Sequence, residues 1–301
     1  MKDKKALATL AALFAQIIFG FSFMFTKTAL QSASPLVVIA DRHMIAFLGM
    51  TVVMLLSKTK IKITRNIWKL VLMSLFQPIL YFVFESYGIQ MTTSSFSSVM
   101  IALIPVVTMI SGIFVLGEFP SPLQYVFTVM SVAGVALMAV QGRVDGTVTP
   151  LGILLLFGAV LSSVAYNITS RKISKEYTVF ERTYAMAFVG FVVFLAVALI
   201  ENIKNPFILL SGFTSVSYLG SLLYLGIVSS VIAFLLLNFA NTHLPVAKTT
   251  VFSNITTVVS VFAGAVFLKE NFTLVSLFAA VMIVLGVWGV QILNVNNRQK
   301  K

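Results

Sequence analysis

One acidic side chain, Glu85, lies well inside an apolar run of this chain, in Tyr81-Phe82-Val83-Phe84-Glu85-Ser86-Tyr87. A carboxylate in hydrocarbon is costly, so it must face a cavity or a polar partner. Read as chemistry, it is a group that carries a proton or binds a cation. Read as structure, it is a carboxyl hydrogen-bonded to a neighbouring helix or placed near an interface. Tyr81 precedes it by one helical turn and Gln77 by another, the spacing that puts three side chains on one helix face. This stripe of Gln77, Tyr81 and Glu85 favours a cavity. Pro78, beside Gln77, cannot donate to the carbonyl of Ser74, so a kink facing protein or water is expected there.

Further polar groups occur in apolar surroundings later in the chain: Tyr166, Asn167, Asn238, Asn241 and Asn254. Amides and phenols can orient a polar ligand, and they can equally bridge packed helices at about 1 kcal/mol each. Some of this set is expected at a cavity. Asp41-Arg42-His43 opens another apolar run, where Arg42 is expected to snorkel to the headgroups. Lys248 invites the same explanation. His43 and His243 fall near opposite faces and make no metal site. With no cysteine in the chain, thiolate ligands, disulfides and cysteine nucleophiles are excluded. A phosphate-binding Gly-x-x-x-x-Gly-Lys-[Ser/Thr] loop is also missing from the sequence, which excludes ATP hydrolysis of that kind. No cofactor, metal or enzymatic reaction is expected.

The elements that must carry these groups follow from hydropathy. The chain is 59% hydrophobic and 10% charged over 301 residues. Ten apolar stretches, at about 7–26, 35–57, 67–89, 94–116, 123–140, 151–170, 183–200, 215–241, 245–268 and 273–293, approach the roughly 20 residues that cross a hydrocarbon core. An all-α polytopic membrane protein is therefore predicted, with the lipid bilayer as its surroundings. The net charge of +12 is a topology signal, not a nucleic-acid signal. With the N-terminus in the cytoplasm, 16 of the 21 Lys and Arg residues fall on the inner side. Both termini are then cytoplasmic in a multi-pass plasma-membrane protein.

The second half repeats the first. An offset of 152 residues places Gly112, Glu118 and Gly134 on Gly264, Glu270 and Gly286, with no gap over about 70 residues. Asn254 falls on Ala102 and so breaks the symmetry. The repeats occupy residues 1–146 and 147–301. Each holds five helices, an odd number, so the second copy is inverted relative to the first. Inverted halves can exchange conformations around a central site and open it to one side at a time. Glu118 and Glu270 end their helices at turns on opposite faces, which suits capping better than chemistry. The four glycines let helices approach closely.

The run Ser97-Ser98-Val99-Met100-Ile101-Ala102-Leu103-Ile104-Pro105-Val106-Val107, followed by Gly112 and Leu116-Gly117-Glu118, resembles the fourth-helix motif of the drug/metabolite transporter superfamily, in its EamA-type ten-helix branch. The run from Ala247 to Asn254, continuing through Gly264 to Lys269-Glu270, is similar to the ninth-helix copy. Thr257 stands where the family usually has proline, and Phe19-Gly20 where its first helix often has Trp-Gly. The resemblance implies a cavity lined by helices one, three, four, six, eight and nine, and a carrier of a small metabolite or amphiphilic compound that is usually exported. A small-molecule substrate and a coupling proton are the expected partners. A membrane channel or a non-transporting scaffold is the alternative. The channel needs a continuous polar pore, and the scaffold leaves the inverted repeat unexplained.

Overall fold

The computed structural model describes residues 2–59, 61, 66–116, 121–144, 147–244, 249, 252–270 and 273–299. They form ten helical passages: α1 (Lys2–Ala29), α2 (Pro35–Ser57), α3 (Trp68–Gln90), α4 in two pieces (Ser94–Ile101 and Ile104–Leu116), α5 (Pro122–Val144), α6 (Pro150–Ile173), α7 (Val179–Glu201), α8 (Val216–His243), α9 (Ser253–Phe267) and α10 (Leu274–Gln299). Seven are long and apolar enough to cross a membrane, and the apolar stretches Ser94–Thr108, Ser253–Phe267 and Leu274–Gly289 are shorter. Their outward faces carry large exposed apolar side chains such as Leu10 and Phe14 on α1, Leu55 and Leu56 on α2, and Leu274 and Phe278 on α10. Such a belt suits lipid as its solvent.

Local chemistry sets the helix ends. Pro35 and Pro150 occupy first helical positions, where a missing N–H costs nothing. Thr178 and Glu181 form a capping box at the start of α7. That box lengthens α7 by four residues over the expected start at 183, and it draws Arg182 out of the loop into a helical turn. Pro105 lies just inside the second piece of α4, after the break at Ala102 and Leu103.

The packing reproduces the repeat. Helix α1 packs on α8 and α9, and its counterpart α6 packs on α3 and α4; α2 meets its own counterpart α7, and α5 meets α10. The glycines report the same two-fold relation at atomic detail. A Cβ added at Gly134 would stand 2.8 Å from the Ala279 carbonyl oxygen, and one added at Gly286 would stand 2.7 Å from that of Phe127. Phe127 and Ala279 are themselves 152 residues apart, so each α5–α10 glycine faces the repeat equivalent of the other's neighbour. Gly112 lies in the second piece of α4.

Both repeats break their third helix. In α3 a π-helical stretch runs over Leu75–Leu80, with Gln77 at φ −148° and ψ 115° and a cis bond between Gln77 and Pro78. In α8 a π-helical stretch spans Tyr224–Ala233, which contains the positions 152 residues beyond the first. Such stretches free backbone groups from the regular ladder, and within a membrane they are tolerated where protein or a cavity covers them.

Candidate functional site

The two broken helices face a cavity in the middle of the bundle. The atom-free space along its walls, solvent at the open mouth included, is about 620 Å3, of which the cavity proper is about 50 Å3. Its walls come from α1, α2, α3, α4, α6, α8 and α9, with Thr249 at the approach to α9. Repeat-related pairs line it: Phe82 with Phe234, Glu85 with Leu237, Ile101 with Ser253, and Ile104 with Thr256. The two phenylalanine rings meet edge to face with centroids 6.3 Å apart. The symmetry of the backbone is thus not carried into the chemistry. In one repeat the α3 position is a carboxylate and the α4 positions are apolar; in the other the α8 position is apolar and the α9 positions carry hydroxyls.

Gln77, Tyr81 and Glu85 all line the cavity, Gln77 from the break in α3 and the other two from the regular helix after it. The Tyr81 hydroxyl donates to Glu85 Oε1 at 2.9 Å. The other carboxyl oxygen, Oε2, is buried and has no hydrogen-bond partner among the described residues; Glu85 is only 3% exposed. Asn167 also lines the cavity, and it accepts from the Asn241 amide at 3.2 Å. Asn254 is buried, its Oδ1 has no partner among the described residues, and it does not line the cavity.

Tyr166 and Asn238 stand apart from the cavity walls. The Tyr166 hydroxyl donates to Asn238 Oδ1 at 3.0 Å, and the Asn238 amide donates to Thr183 Oγ1 at 3.0 Å. Both surround Arg182, which is 0% exposed. Its Nη1 donates to the Ser170 hydroxyl at 2.7 Å and to the Ser170 carbonyl at 3.2 Å. Its Nη2 donates to the Asn238 carbonyl at 3.0 Å and to the Thr242 hydroxyl. Nε reaches the Thr178 carbonyl at 3.4 Å. This network ties α6, α7 and α8 together with oxygen acceptors only.

Arg42 corrects the snorkelling expectation. It is 3% exposed and turned inward, with its guanidinium carbon 4.1 Å from the centre of the Phe82 ring. Nε donates to Ser230 Oγ at 2.8 Å and Nη2 to Ser229 Oγ at 2.9 Å, both in the π-helical stretch of α8. Its neighbours in sequence are buried too. Asp41 Oδ2 accepts from the Tyr218 hydroxyl at 2.7 Å, and His43 packs against Phe82 and Phe194. Three polar residues in a row inside an apolar helix were the available signal; their partners lie on α8, far along the chain.

Glu270 caps a helix, and the helix belongs to the other repeat. Its carboxylate accepts from the backbone amides of Ser94 at 2.7 Å and Ser95 at 3.0 Å and from the Ser95 hydroxyl, at the start of α4. Gly264 leaves the room: a Cβ there would stand 2.6 Å from Glu270 Oε2. Beside this cap, Lys27 donates to the carbonyls of Ile89 and Thr92 at the end of α3. Glu118 lies outside the described residues, as does Lys248. Thr257, in the place of the expected proline, donates to the Ser98 carbonyl at 3.1 Å and so bridges α9 to α4.

Two five-helix repeats packed around a cavity with both polar and apolar walls define a polytopic membrane protein of the transporter kind. Residues 6–140 and 150–292 match the EamA-like transporter family, one repeat each, and the chain belongs to that family. It is 34% identical over 308 residues to a Bacillus subtilis (strain 168) protein named uncharacterized transporter YcxC, covering 100% of this chain and 97% of that one. It is 25% identical over 207 residues to uncharacterized transporter YetK of the same organism, covering 67% of this chain and 61% of that protein. A solved crystal structure at 18% identity shares the fold, with a TM-score of 0.67 over 95% of this chain and 98% of that one.

Proposed function

We propose that the protein is a secondary transporter that exports a small metabolite or amphiphilic compound across the plasma membrane by alternating access. The cavity at the repeat junction is its substrate site, and both termini lie in the cytoplasm. The observation that carries this reading is the unpartnered Oε2 of Glu85, buried in the wall of a cavity that pseudo-equivalent helices enclose from both sides. A carboxyl so placed is stable only if something else arrives to complete it, a proton or a cation. The two repeats supply the two-state element: exchange of their conformations closes one end of the bundle and opens the other. Glu270, just after α9, holds the start of α4, a contact between the two repeats that such an exchange would break or keep.

The test is flux in proteoliposomes made from the purified protein, with labelled small metabolites and organic cations, with and without a pH gradient. Saturable flux that follows the gradient is expected of the wild type. Glu85→Gln is expected to keep the protein folded and to remove the gradient dependence. Unchanged gradient dependence in that variant removes the proton from the proposal.

A further inference from the structure

We infer that the connection between α7 and α8 is a membrane-surface anchor, seated in the headgroup and upper acyl region of the lipid bilayer. The surface lies outside the cavity, and the inference does not need the transport reading. Residues Pro206–Thr214 form a 3-10 helix between the end of α7 and the start of α8. Three residues complete a turn of such a helix, so every third side chain shares a face. Phe207 and Leu210, 78% and 59% exposed, share one face with the half-buried Phe213. Leu209 and Gly212 share a second face and are buried. The third face carries Ile208, Ser211 and Thr214.

The buried face is fixed to the bundle. The segment packs on α7 and on the first turns of α8. A Cβ at Gly212 would stand 2.5 Å from the Tyr218 ring, and the Phe213 ring meets the same ring with centroids 5.9 Å apart. The Gly212 carbonyl accepts from the Ser215 amide at 3.0 Å, and the Ser215 hydroxyl accepts from the Tyr218 amide at 3.3 Å to start α8. The hydroxyls of the third face donate to the segment's own carbonyls, Ser211 to Ile208 at 2.7 Å and Thr214 to Ser211 at 3.0 Å. Among the described residues, none of this segment lines the cavity, so it is not placed as a lid.

The outward face continues the lipid-facing belt. On α7 the exposed Phe188, Val192 and Leu199 recur at helical spacing, and on α8 Val216, Leu219 and Leu223 do the same. Both are membrane-spanning helices, and Phe207 and Leu210 join their two stripes through the connection. A single exposed apolar side chain is ordinary, whereas a contiguous patch marks a contact. Exposed polar residues, Glu201, Lys204 and Asn205, edge this patch. A lysine there can lay its stem on lipid and keep its ammonium in water. An element apolar on one face, polar on another and closed in its own hydrogen bonds suits the boundary between headgroups and acyl chains. The corresponding connection of the first repeat, between α2 and α3, carries Lys58, Lys60, Lys62 and Arg65 instead. The apolar content therefore belongs to this connection and not to its place in the repeat.

The competing occupants are bulk water and a second copy of this chain. Tryptophan quenching separates the three in the full chain, reconstituted in phosphatidylcholine vesicles. Trp68 and Trp288 are replaced by phenylalanine, and a reporter is introduced as Phe207→Trp, Leu210→Trp or Ser211→Trp. Bromine on the acyl chains, near the headgroup or near the chain end, quenches from the lipid. Iodide on both sides of the membrane quenches from water. Phe207→Trp and Leu210→Trp are expected to lose more fluorescence to the shallow bromine than to the deep one, and less to iodide than Ser211→Trp loses. The two reporters share one face, so either decides the matter if the other variant fails to fold. Iodide quenching equal to that of Ser211→Trp, with no loss to bromine, puts the face in water and overturns the inference. Resistance to both quenchers at every protein-to-lipid ratio assigns the face to a second copy and overturns it as well. Greater loss to the deep bromine than to the shallow one overturns the surface placement.

Discussion

Two arginines are buried among the described residues of this bundle, and they are held in opposite ways. Arg182 donates from all three of its nitrogens to oxygens of Thr178, Ser170, Asn238 and Thr242. Arg42, which lines the cavity, donates among the described residues from two of its nitrogens, Nε and Nη2. Neither has an ion-pair partner among the described residues. Burial alone therefore does not separate scaffold from site; the number of open donors does. A saturated cation belongs to the packing, because its network stays the same whatever enters the protein. An open one gains a partner only when a ligand comes, and that is the condition for binding energy to depend on state.

The largest expected effect breaks the saturated side of the comparison. Arg182→Met leaves acceptors of Ser170, Asn238 and Thr242 short of donors in the interior. A loss of about 3 kcal/mol or more is expected, read as a fall in unfolding temperature in detergent. Arg42→Gln should leave that temperature close to the wild-type value and abolish saturable flux. The same stability loss from both variants would erase the distinction.

The next effect concerns the repeat. Gly134→Ala and Gly286→Ala each push a methyl group onto a backbone carbonyl across the α5–α10 contact. Each is expected to cost about 1–3 kcal/mol by overpacking. Because the two sites are pseudo-equivalent, the two losses should agree to within about 1 kcal/mol. A large loss from one and none from the other would show that the halves do not share this contact as described.

Smaller still is the effect of Glu270→Gln, which removes the charge from the carboxyl on the α4 amides. About 1 kcal/mol is expected from charge at a helix N-terminus. The smallest lies at the surface. The Lys69 ammonium beside Glu176 holds that carboxyl below its ordinary value, which adds stability above the unfolded pKa and loses it as pH falls through the folded one. Glu176 is exposed, so solvent screens the pair and Glu176→Gln should shift the unfolding temperature by no measurable amount at neutral pH.

Much of this architecture is legible in the amino-acid pattern, because lipid demands long apolar helices and the repeat preserves glycine and glutamate spacing. The pairing of Tyr81 with Glu85 is legible for the same kind of reason: a helix of period 3.6 places residues four apart on one face, whereas Gln77 reaches the same cavity across a break that this period does not describe. Arg42 is not legible as a cavity residue. Seven residues from Pro35 it reads as a headgroup contact, and only the α8 hydroxyls of Ser229 and Ser230 turn it inward. Arg182 reads as a loop cation until the Thr178–Glu181 capping box extends α7 around it. Tyr166 and Asn238 carry the right chemistry for a ligand, yet a neighbouring helix consumes their polar atoms. Glu270 reads as a cap, and nothing in its own segment tells which helix it caps.

The central claim is that the cavity opens to the two sides of the membrane in turn. Because the chain has no cysteine, a single Ser163→Cys variant reports on the cavity wall without any background thiol. Its reaction with a membrane-impermeant thiol reagent is measured from each side of oriented vesicles, with and without a pH gradient. Alternating access predicts reaction from either side, with the gradient raising one rate as it lowers the other. Reaction from one side alone under every condition, or from both with no reciprocal change, would contradict it.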